Sequence, residues 1–262
     1  MLKQAAYLWP RRAAVVATAA SRQPYAPAVA ACCTLTSRRL VAALVSGTDV
    51  EQRRAPLIFQ AGSRRGFARA GRRRPEASTS RNEREEDEDE VPKQYQNCTF
   101  FTELPLSEAS QRSLRDVFKY DVMSEVQRQV LPVALSHRRD LVVRAHTGTG
   151  KTLAFLLPAM EAMLTSSNRR GVGALIVAPT RELALQIGRE AEMLLGSEGI
   201  KTVTLIGGTS SREDQLKIRR TRPRVIVATP GRLLEHLERT YLFPTLFEQL
   251  ETFVLDEADR LF

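Results

Sequence analysis

Residues 140–152 read DLVVRAHTGTGKT, and this stretch decides the fold. An apolar run comes first, a turn with two glycines follows, and Lys151 and Thr152 then begin a segment with helical spacing of apolar residues. Gly148 and Gly150 allow backbone N–H groups to turn toward a phosphate, and the start of a helix adds a partial positive charge. The pattern therefore predicts a phosphate-binding loop between a buried strand and a helix.

Four more short apolar runs follow the first one along the chain. None of the runs alternates polar and apolar residues, which is typical of strands covered on both faces in a parallel sheet. The five runs are Asp140–Ala145, Ala174–Pro179, Val203–Gly208, Val225–Pro230 and Phe253–Ala258. Segments with helical spacing separate several of them, among them Leu153–Leu164 and Arg181–Leu195. The sequence therefore predicts an α/β doubly wound domain, with ligands at the carboxyl ends of its strands.

The glycine-rich turn is a Walker A pattern with Ala145 in place of its first glycine. In such a loop the lysine, here Lys151, reaches the β and γ phosphates, and the hydroxyl of Thr152 binds Mg²⁺. The fifth run ends in the Walker B pattern, with Asp256 as the second predicted Mg²⁺ ligand and Glu257 as the predicted base toward an attacking water. Each pattern has a simpler explanation, since the glycines could form an ordinary turn and the carboxylates could only stabilise a helix start. The presence of both the Walker A and the Walker B pattern favours a nucleotide site.

Residues 256–259 spell DEAD, and together with AHTGTGKT they make the chain resemble the DEAD-box RNA helicases. The other motifs of the first domain of that family appear in the family order. They are motif Ia at Pro179-Thr180-Arg181-Glu182-Leu183, the GG motif at Gly207-Gly208 and motif Ib at Thr229-Pro230-Gly231-Arg232. The resemblance covers residues 97–262 and implies a RecA-like P-loop domain of the α/β class, with a parallel sheet flanked by helices.

The resemblance implies ATP and Mg²⁺ as cofactors and RNA as a partner that is bound through its backbone, with little sequence specificity. It implies catalytic roles for Glu257 and Lys151 and places Mg²⁺ on Thr152 and Asp256, with no other metal and no membrane contact. The implied nucleotide contacts are Phe101, Tyr120, Gln127, Ala145, His146, Thr147, Gly148, Thr149, Gly150, Lys151, Thr152 and Asp256. The implied RNA contacts are Pro179, Thr180, Arg181, Gly207, Gly208, Thr229, Pro230, Gly231 and Arg232.

Residues 120–127 resemble the Q motif of the family, with Phe101 in the position of its upstream aromatic residue. Gln127 would select ATP by reading the edge of adenine. Its spacing from Ser124 also forms a capping box, and the two roles are compatible. Phe101 would stack on adenine, although a single Phe is more often a core residue. The sequence departs from the family pattern at two positions, because Lys119 replaces the usual Gly and Met123 replaces the usual Pro.

Motifs Ia and Ib each place a threonine between a strand and a helix. Thr229 would be an N-cap with Pro230 at the first helical position, which is simple capping. The same geometry exposes N–H groups that bind phosphate, and Arg181 and Arg232 would then add charge-assisted contacts to RNA. A basic cluster between these motifs either extends the RNA path or forms a solvated face. Its members are Lys217, Arg219, Arg220, Arg222 and Arg224.

The excess positive charge of the chain lies at its N-terminus. The net charge is +9, yet residues 98–262 hold nearly equal numbers of basic and acidic residues, so the charge is no evidence for RNA binding. Residues 1–48 contain several arginines and no acidic residue, which is typical of an organellar transit peptide. Residues 64–68, RRGFA, resemble a mitochondrial processing site that is cut after Phe67. We expect a mitochondrial-type helicase in the matrix; a chloroplast address, a secretory signal and a disordered basic tail are the alternatives.

The sequence divides into four predicted segments. They are a transit peptide at 1–67, a disordered charged linker at 68–96, a Q-motif region at 97–127 and a RecA-like domain at 128–262 that is truncated after the DEAD motif. No sequence matches motif III or the second RecA-like domain, so we expect a fragment of a longer helicase. The motif III strand of this fold lies between the Walker A and Walker B strands, which predicts a gap at the sheet centre. The alternatives are a nucleotide-dependent RNA-binding module without turnover and an ATPase that acts on DNA or protein.

Overall fold

The structure is a computed structural model that describes residues 14–18, 57–60, 92–95, 97–136, 140–167 and 170–261. The strands among these residues are β1 Ala14–Thr18, β2 Leu57–Gln60, β3 Leu141–Arg144, β4 Ala174–Val177, β5 Thr202–Leu205, β6 Val225–Ala228 and β7 Thr252–Asp256. The helices are α1 Glu108–Arg112, α2 Glu125–Ser136, α3 Lys151–Thr165, α4 Arg181–Leu195, α5 Ser211–Thr221 and α6 Pro230–Arg239. A π-helix over Ser113–Phe118 continues α1.

The described strands form one parallel sheet in the order β2-β3-β1-β7-β4-β6-β5. All five predicted runs are strands, and each strand begins within one residue of its predicted start. Successive residues of β3 enter different cores, because Leu141 and Val143 pack with α2, α3 and α4, whereas Val142 packs in the cluster that contains α5 and α6. Burial on both faces explains the continuous apolar runs. The predicted α/β fold with a parallel sheet flanked by helices is confirmed.

The centre of the sheet holds a strand that the sequence patterns do not predict. β1 lies between β3 and β7, and Val16 is paired with Val142 on one side and with Leu255 on the other. The expected gap between the Walker A and Walker B strands is therefore wrong. Residues 14–18 read AVVAT, which has the β-branched character of a strand, but the composition of the surrounding segment favours a transit peptide and hides that signal.

A second strand from the N-terminal part of the chain lies at the sheet edge. Ile58 of β2 is paired with Val142 of β3, on the side of β3 that faces away from β1. Residues 14–18 and 57–60, which lie within the predicted N-terminal extension, are strands in this structure. The rest of the predicted transit peptide and residues 68–91 of the predicted linker lie outside the described residues.

The helices owe their position to local capping and to amphipathic faces. The hydroxyl of Thr180 accepts the N–H of Leu183 at 3.3 Å and thereby caps α4. The buried side chains of α4 include Ala184, Ile187 and Ala191, which recur at helical spacing on the side that faces the sheet. None of the described helices is both long and apolar enough to cross a membrane.

Candidate functional site

The predicted phosphate loop lies at the turn between β3 and α3. Ala145 is buried at the end of β3, whereas His146, Thr147 and Gly148 are exposed. The hydroxyl of Thr149 donates a hydrogen bond to the carbonyl oxygen of His146 at 2.8 Å and stabilises the turn. A Cβ atom added to Gly148 would meet no atom within 4 Å. The space above the loop is therefore open to a ligand.

Lys151 is a buried cation at the base of this loop. Its Nζ atom donates a hydrogen bond to the carbonyl oxygen of Ala145 at 2.9 Å. Its charge also reaches the end of β7, where it favours the ionised form of Asp256. Lys151 thus links the loop electrostatically to the carboxylate of the predicted Walker B pattern.

Gln127 connects α2 to the phosphate loop. Its Oε1 atom accepts the N–H of Ser124 at 2.8 Å, and the Ser124 hydroxyl lies 3.4 Å from the Gln127 nitrogen, so the capping box is present. Its Nε2 atom donates to the carbonyl oxygen of Gly150 at 3.0 Å, and Ser124 donates to that of Thr149 at 2.7 Å. Gly150 has φ 88°, and a Cβ there would lie 2.6 Å from Nε2, so a side chain at this position would be strained and would displace the amide. Both ends of the amide bind protein groups in this structure, so the capping role is present. The adenine contact of Gln127, which is compatible with capping, stays a prediction.

The two aromatic residues of the predicted adenine site differ in exposure. Phe101 is 2% exposed and packs in the core beside Leu104, so its ring is a core ring here and is not available to stack on a base. Tyr120 is 51% exposed, and its ring centroid lies 5.8 Å from that of Phe118. Lys119, which replaces the usual Gly, has φ 57° and therefore adopts the left-handed conformation that glycine tolerates best.

The acidic pair lies at the carboxyl end of β7. Asp256 is the last residue of the strand, and its Oδ1 atom accepts the N–H of Glu257 at 3.0 Å. Burial raises the pKa of Asp256 to about 6, although the charge of Lys151 and the hydrogen bond from Glu257 act to lower it. Glu257 is buried in a left-handed conformation, and its Oε2 atom lies 2.9 Å from a guanidinium nitrogen of Arg260. Sequence reasoning did not identify this ion pair, although the spacing of three residues between acid and base is a signal for it.

The oxygen atoms near the loop fit a magnesium ion that is bound together with a nucleotide. Asp256 offers a buried carboxylate, and Thr152 offers a hydroxyl in the first turn of α3. Mg²⁺ prefers such hard oxygen ligands and usually takes only one or two from protein, with water and substrate phosphates as the others. Among the described residues, no group of three His, Cys, Asp or Glu side chains could hold a metal ion. One buried carboxylate and one hydroxyl fit an Mg²⁺ ion that takes its remaining ligands from water and phosphates.

Replacing Asp256 with asparagine should stabilise the ligand-free domain at neutral and alkaline pH. A folded-state pKa of about 6 against the usual 3.8 means that the folded state favours the protonated acid. The stability of the native protein should therefore fall as the pH rises from about 4 to about 6, by at most about 3 kcal/mol. Denaturant titrations without Mg²⁺ should show that Asp256→Asn gains about 1–3 kcal/mol at pH 8 and nothing at pH 3.5. Asp259→Asn, at an exposed carboxylate, is the control; equal gains for both variants would contradict the prediction.

The residues of motifs Ia, GG and Ib lie along one edge of the sheet, because they follow the neighbouring strands β4, β5 and β6. The guanidinium of Arg181 lies against the GG turn, where a Cβ on Gly208 would be 2.8 Å from one of its nitrogens. Thr180 caps α4 with its hydroxyl, whereas Thr229 occupies the N-cap of α6 without a capping bond from its side chain. Capping therefore explains Thr180 and does not explain Thr229. The other predicted members, Pro179, Gly207, Pro230 and Gly231, are exposed or half-buried.

Arg232 is buried, in contrast to the predicted direct contact with RNA. Its side chain is 5% exposed, and its Nε atom lies 2.8 Å from Oδ2 of Asp214. Its two terminal nitrogens bind Glu235 at 2.8 Å and the carbonyl oxygen of Thr209 at 2.5 Å. Arg232 faces inward because it belongs to the buried stripe of α6, which also contains Leu233. Sequence reasoning missed Asp214 entirely, since its acceptor role depends on a residue 18 positions away.

The basic cluster does not form one continuous surface. Arg224 donates hydrogen bonds to the carbonyl oxygens of Arg170 and Gly171 at 3.0 and 3.2 Å and lies 3.7 Å from Glu251. Because Arg224 precedes β6, it lies at the opposite edge of the sheet from motif Ib. Lys217, Arg219 and Arg220 are exposed on α5. Arg224 therefore does not extend the predicted RNA path, and the exposure of the other members fits either an RNA path or a solvated face.

The chain matches known helicases over most of its described part. The family profile described as DEAD/DEAH box helicase matches residues 124–262. The DEAD-box ATP-dependent RNA helicase 26 of Oryza sativa is 42% identical over 166 residues, which are 62% of this chain and 30% of that protein. The ATP-dependent RNA helicase has1 of Aspergillus niger is 42% identical over 163 residues, which are 62% of this chain and 26% of that protein.

A solved structure shows the same similarity in three dimensions. The structure of Mss116p bound to ssRNA and AMP-PNP matches with a TM-score of 0.55 and 36% sequence identity. The match covers 60% of this chain and 32% of Mss116p. The region of similarity therefore spans about a quarter to a third of the length of each of these relatives.

Proposed function

Because the chain belongs to the DEAD/DEAH box helicase family, we propose that it binds ATP with Mg²⁺ and single-stranded RNA as part of an ATP-dependent RNA helicase. The observation that carries this proposal is the position of the phosphate loop and the acidic pair, which follow β3 and β7 with only β1 between them. Nucleotide and cation would thus meet at one edge of the sheet. The region of similarity is a minor part of each relative, so the coupling of hydrolysis to RNA remodelling belongs to the proposal as well.

In the proposed reaction, the side chains of the site have separate tasks. Lys151 would exchange its hydrogen bond to Ala145 for a contact with the phosphates and would offset their charge. Thr152 and Asp256 would hold Mg²⁺, which neutralises phosphate charge when it is bound. Glu257 would accept the proton of the attacking water, and its ion pair with Arg260 would fix the orientation of the carboxylate.

The RNA-binding edge would recognise the phosphate backbone. Exposed N–H groups at the starts of α4 and α6 and at the GG turn are suited to phosphate oxygens, and Arg181 adds a positive charge beside Gly208. Such contacts carry little sequence information. We therefore expect RNA affinity that depends on salt concentration and is largely independent of sequence.

The proposal is tested by Lys151→Ala, measured as the binding of a fluorescent ATP analogue to the whole chain in the presence of Mg²⁺. Loss of a charge-assisted hydrogen bond worth about 1.5–3 kcal/mol should raise the dissociation constant at least about tenfold. Lys217→Ala removes an exposed lysine of α5 and should leave the dissociation constant unchanged. Equal affinities for the wild type and Lys151→Ala would contradict the assignment of the loop. Binding of ATP and RNA without any hydrolysis would favour the alternative of a binding module without turnover.

We further propose a mitochondrial matrix location, on the basis of the acid-free, arginine-containing residues 1–48 and the processing-like site at 64–68. A fusion of residues 1–67 to a fluorescent reporter should enter mitochondria, and the mature protein should begin near Ala68. Cleavage there would remove both β1 and β2, so a mature protein that begins near Ala68 and a structural role of β1 in the mature domain exclude each other. Sequencing the N-terminus of the protein purified from the organelle decides whether residues 1–67 are a cleaved targeting segment or part of the mature sheet. An intact Met1 would contradict the mitochondrial proposal. A reporter that is found in the cytosol or in chloroplasts would contradict it as well.

A further inference from the structure

A buried carboxylate, Asp214 of α5, lies at the centre of a polar cluster beneath the GG turn. Its Oδ2 atom is 2.8 Å from Nε of Arg232, 3.3 Å from Nε2 of His236 and 3.4 Å from the hydroxyl of Thr209. The other ring nitrogen of His236 lies 2.9 Å from the hydroxyl of Thr240. We call these five residues the Asp214 cluster. Asp214, Arg232 and His236 are buried, and His236 has no exposed surface at all.

The Asp214 cluster joins two of the structural elements that form the RNA-binding edge. Thr209 directly follows the GG motif, and Arg232 lies in the first turn of α6. Arg232 connects both, because one guanidinium nitrogen binds Asp214 while another binds the carbonyl oxygen and the hydroxyl of Thr209. A guanidinium has a rigid planar fork of donors, so two simultaneous contacts fix the distance between the groups that it binds.

The burial of this ion pair needs an explanation other than stability. Removing charges from water costs several kcal/mol for each ion, and buried pairs often add little net stability. They do restrict geometry, because a buried charge is strongly penalised when it loses its partner. Asp214 therefore holds Arg232 in one orientation, and Arg232 in turn holds the turn that carries Gly207 and Gly208.

We propose that Asp214 is a positioning residue for RNA, which fixes the GG turn relative to the N-terminus of α6 so that both present their N–H groups to the same strand. The inference rests on the proposed function, since it concerns the RNA edge of that site. Asp214 acts through Arg232 and Thr209 and does not itself contact RNA. The same arrangement assigns Arg232 a positioning role instead of the direct phosphate contact that its motif implies.

The sign of the effect of a mutation separates this proposal from simple electrostatics. RNA is a polyanion, so the loss of a nearby carboxylate strengthens binding if charge alone matters. A positioning role has the opposite consequence, because Asp214→Asn frees Arg232 and loosens the GG turn. Glu213→Gln provides the matched control, because Glu213 directly precedes Asp214 in α5 and is exposed. This substitution removes the same charge as Asp214→Asn does.

The experiment measures the binding of a fluorescently labelled oligouridylate of about ten nucleotides to the whole chain, with an ATP analogue and Mg²⁺ present. Asp214→Asn should raise the dissociation constant for the oligouridylate about tenfold or more, while Glu213→Gln leaves it unchanged or lowers it. The dissociation constant for the ATP analogue should stay the same in both variants, because the cluster lies away from the phosphate loop. A purely structural defect would change both affinities and the thermal unfolding temperature together.

Two further variants keep the test decisive if Asp214→Asn does not fold. Thr209→Val removes the hydroxyl that lies near Asp214 and Arg232 and that also donates to the carbonyl oxygen of Ile206 at 3.0 Å, and it should raise the dissociation constant for RNA severalfold. Arg232→Gln combined with Asp214→Asn should be no worse than either single change, because both act through one linkage. If the wild type binds RNA and neither Asp214→Asn nor Thr209→Val weakens that binding, the inference is overturned. If the wild type itself binds ATP but no RNA, the RNA part of the proposed function fails and the inference fails with it.

Discussion

Deletion of residues 1–20 should abolish the cooperative unfolding transition of the domain. These residues contain β1, which is paired with β3 along one side and with β7 along the other. Its removal leaves two strands at the sheet centre without ladder partners and loses several hydrogen bonds, each worth about 1 kcal/mol net. The total stability of a domain is only about 5–15 kcal/mol, so this loss is a large part of it. Circular dichroism during a urea titration is the measurement.

Proline substitutions test the same strand without deletion. A central strand uses both of its edges, so Val15→Pro and Val16→Pro should each lower the free energy of unfolding by about 2 kcal/mol or more. β2 lies at the sheet edge, where successive N–H groups point alternately into the ladder and away from it. Of Ile58→Pro and Phe59→Pro, the one whose N–H points away from the ladder should therefore lower the free energy of unfolding much less than either substitution in β1.

The outcome of these substitutions decides whether β1 belongs to the sheet in solution. Neutral substitutions at the surface change the free energy of unfolding by less than about 0.5 kcal/mol. If Val15→Pro and Val16→Pro both lower it by less than this amount, β1 does not belong to the sheet. An intact transition in the chain that lacks residues 1–20 would lead to the same conclusion. In either case β3 and β7 would need a different strand between them. Residues 1–67 would then have no structural role that conflicts with their removal as a transit peptide.

In the proposed ATP-dependent helicase, Glu257→Gln should lower the rate of RNA-stimulated ATP hydrolysis by at least about 100-fold, because a general base contributes about 10²–10⁴ to the rate. The amide is nearly the same size as the carboxylate but does not accept the proton of the attacking water. Asp256 and Lys151 stay in place, so the dissociation constant for ATP with Mg²⁺ should change little. The assay compares phosphate release with and without RNA, under saturating ATP.

Two control variants define what this result means. Arg260→Ala removes the partner of Glu257 and should lower the rate less than Glu257→Gln does, because it affects only the orientation of the base. Glu248→Gln changes an exposed carboxylate in the segment before β7 and should have no effect. An unchanged rate of hydrolysis for Glu257→Gln would refute the role of Glu257 as the base. If neither the wild type nor any variant hydrolyses ATP, the alternative of a binding module without turnover applies.

The prediction from sequence succeeded where structure follows from neighbours along the chain. The phosphate loop requires a strand, two glycines, a lysine and a hydroxyl within a few residues, so its position between β3 and α3 is visible in residues 140–152. The acidic pair after β7 is a local pattern of the same kind. Parallel strands place their carboxyl ends at a common edge, and this rule brings the two local patterns together.

The sequence did not predict the surroundings of side chains whose neighbours come from distant segments. Phe101 belongs to the core, and Arg232 is bound by Asp214 rather than exposed to RNA. Gln127 binds Gly150 of the phosphate loop with the amide that was assigned to adenine. In each case the residue type permits two roles, and packing against another element decides which contacts the side chain makes in this structure.

The sequence by itself determined the α/β class, the five strands that carry the motifs and the edge at which the candidate site lies, because apolar runs and turn residues act locally. Only the tertiary structure decided which strand occupies the sheet centre. Residues 14–18 are more than 120 positions away from β3, and any short β-branched run offers the same backbone hydrogen bonds to an unpaired neighbour. The partner of a strand therefore depends on the folded chain as a whole, because the backbone N–H and C=O groups of all strands are alike and do not specify which strand they pair with.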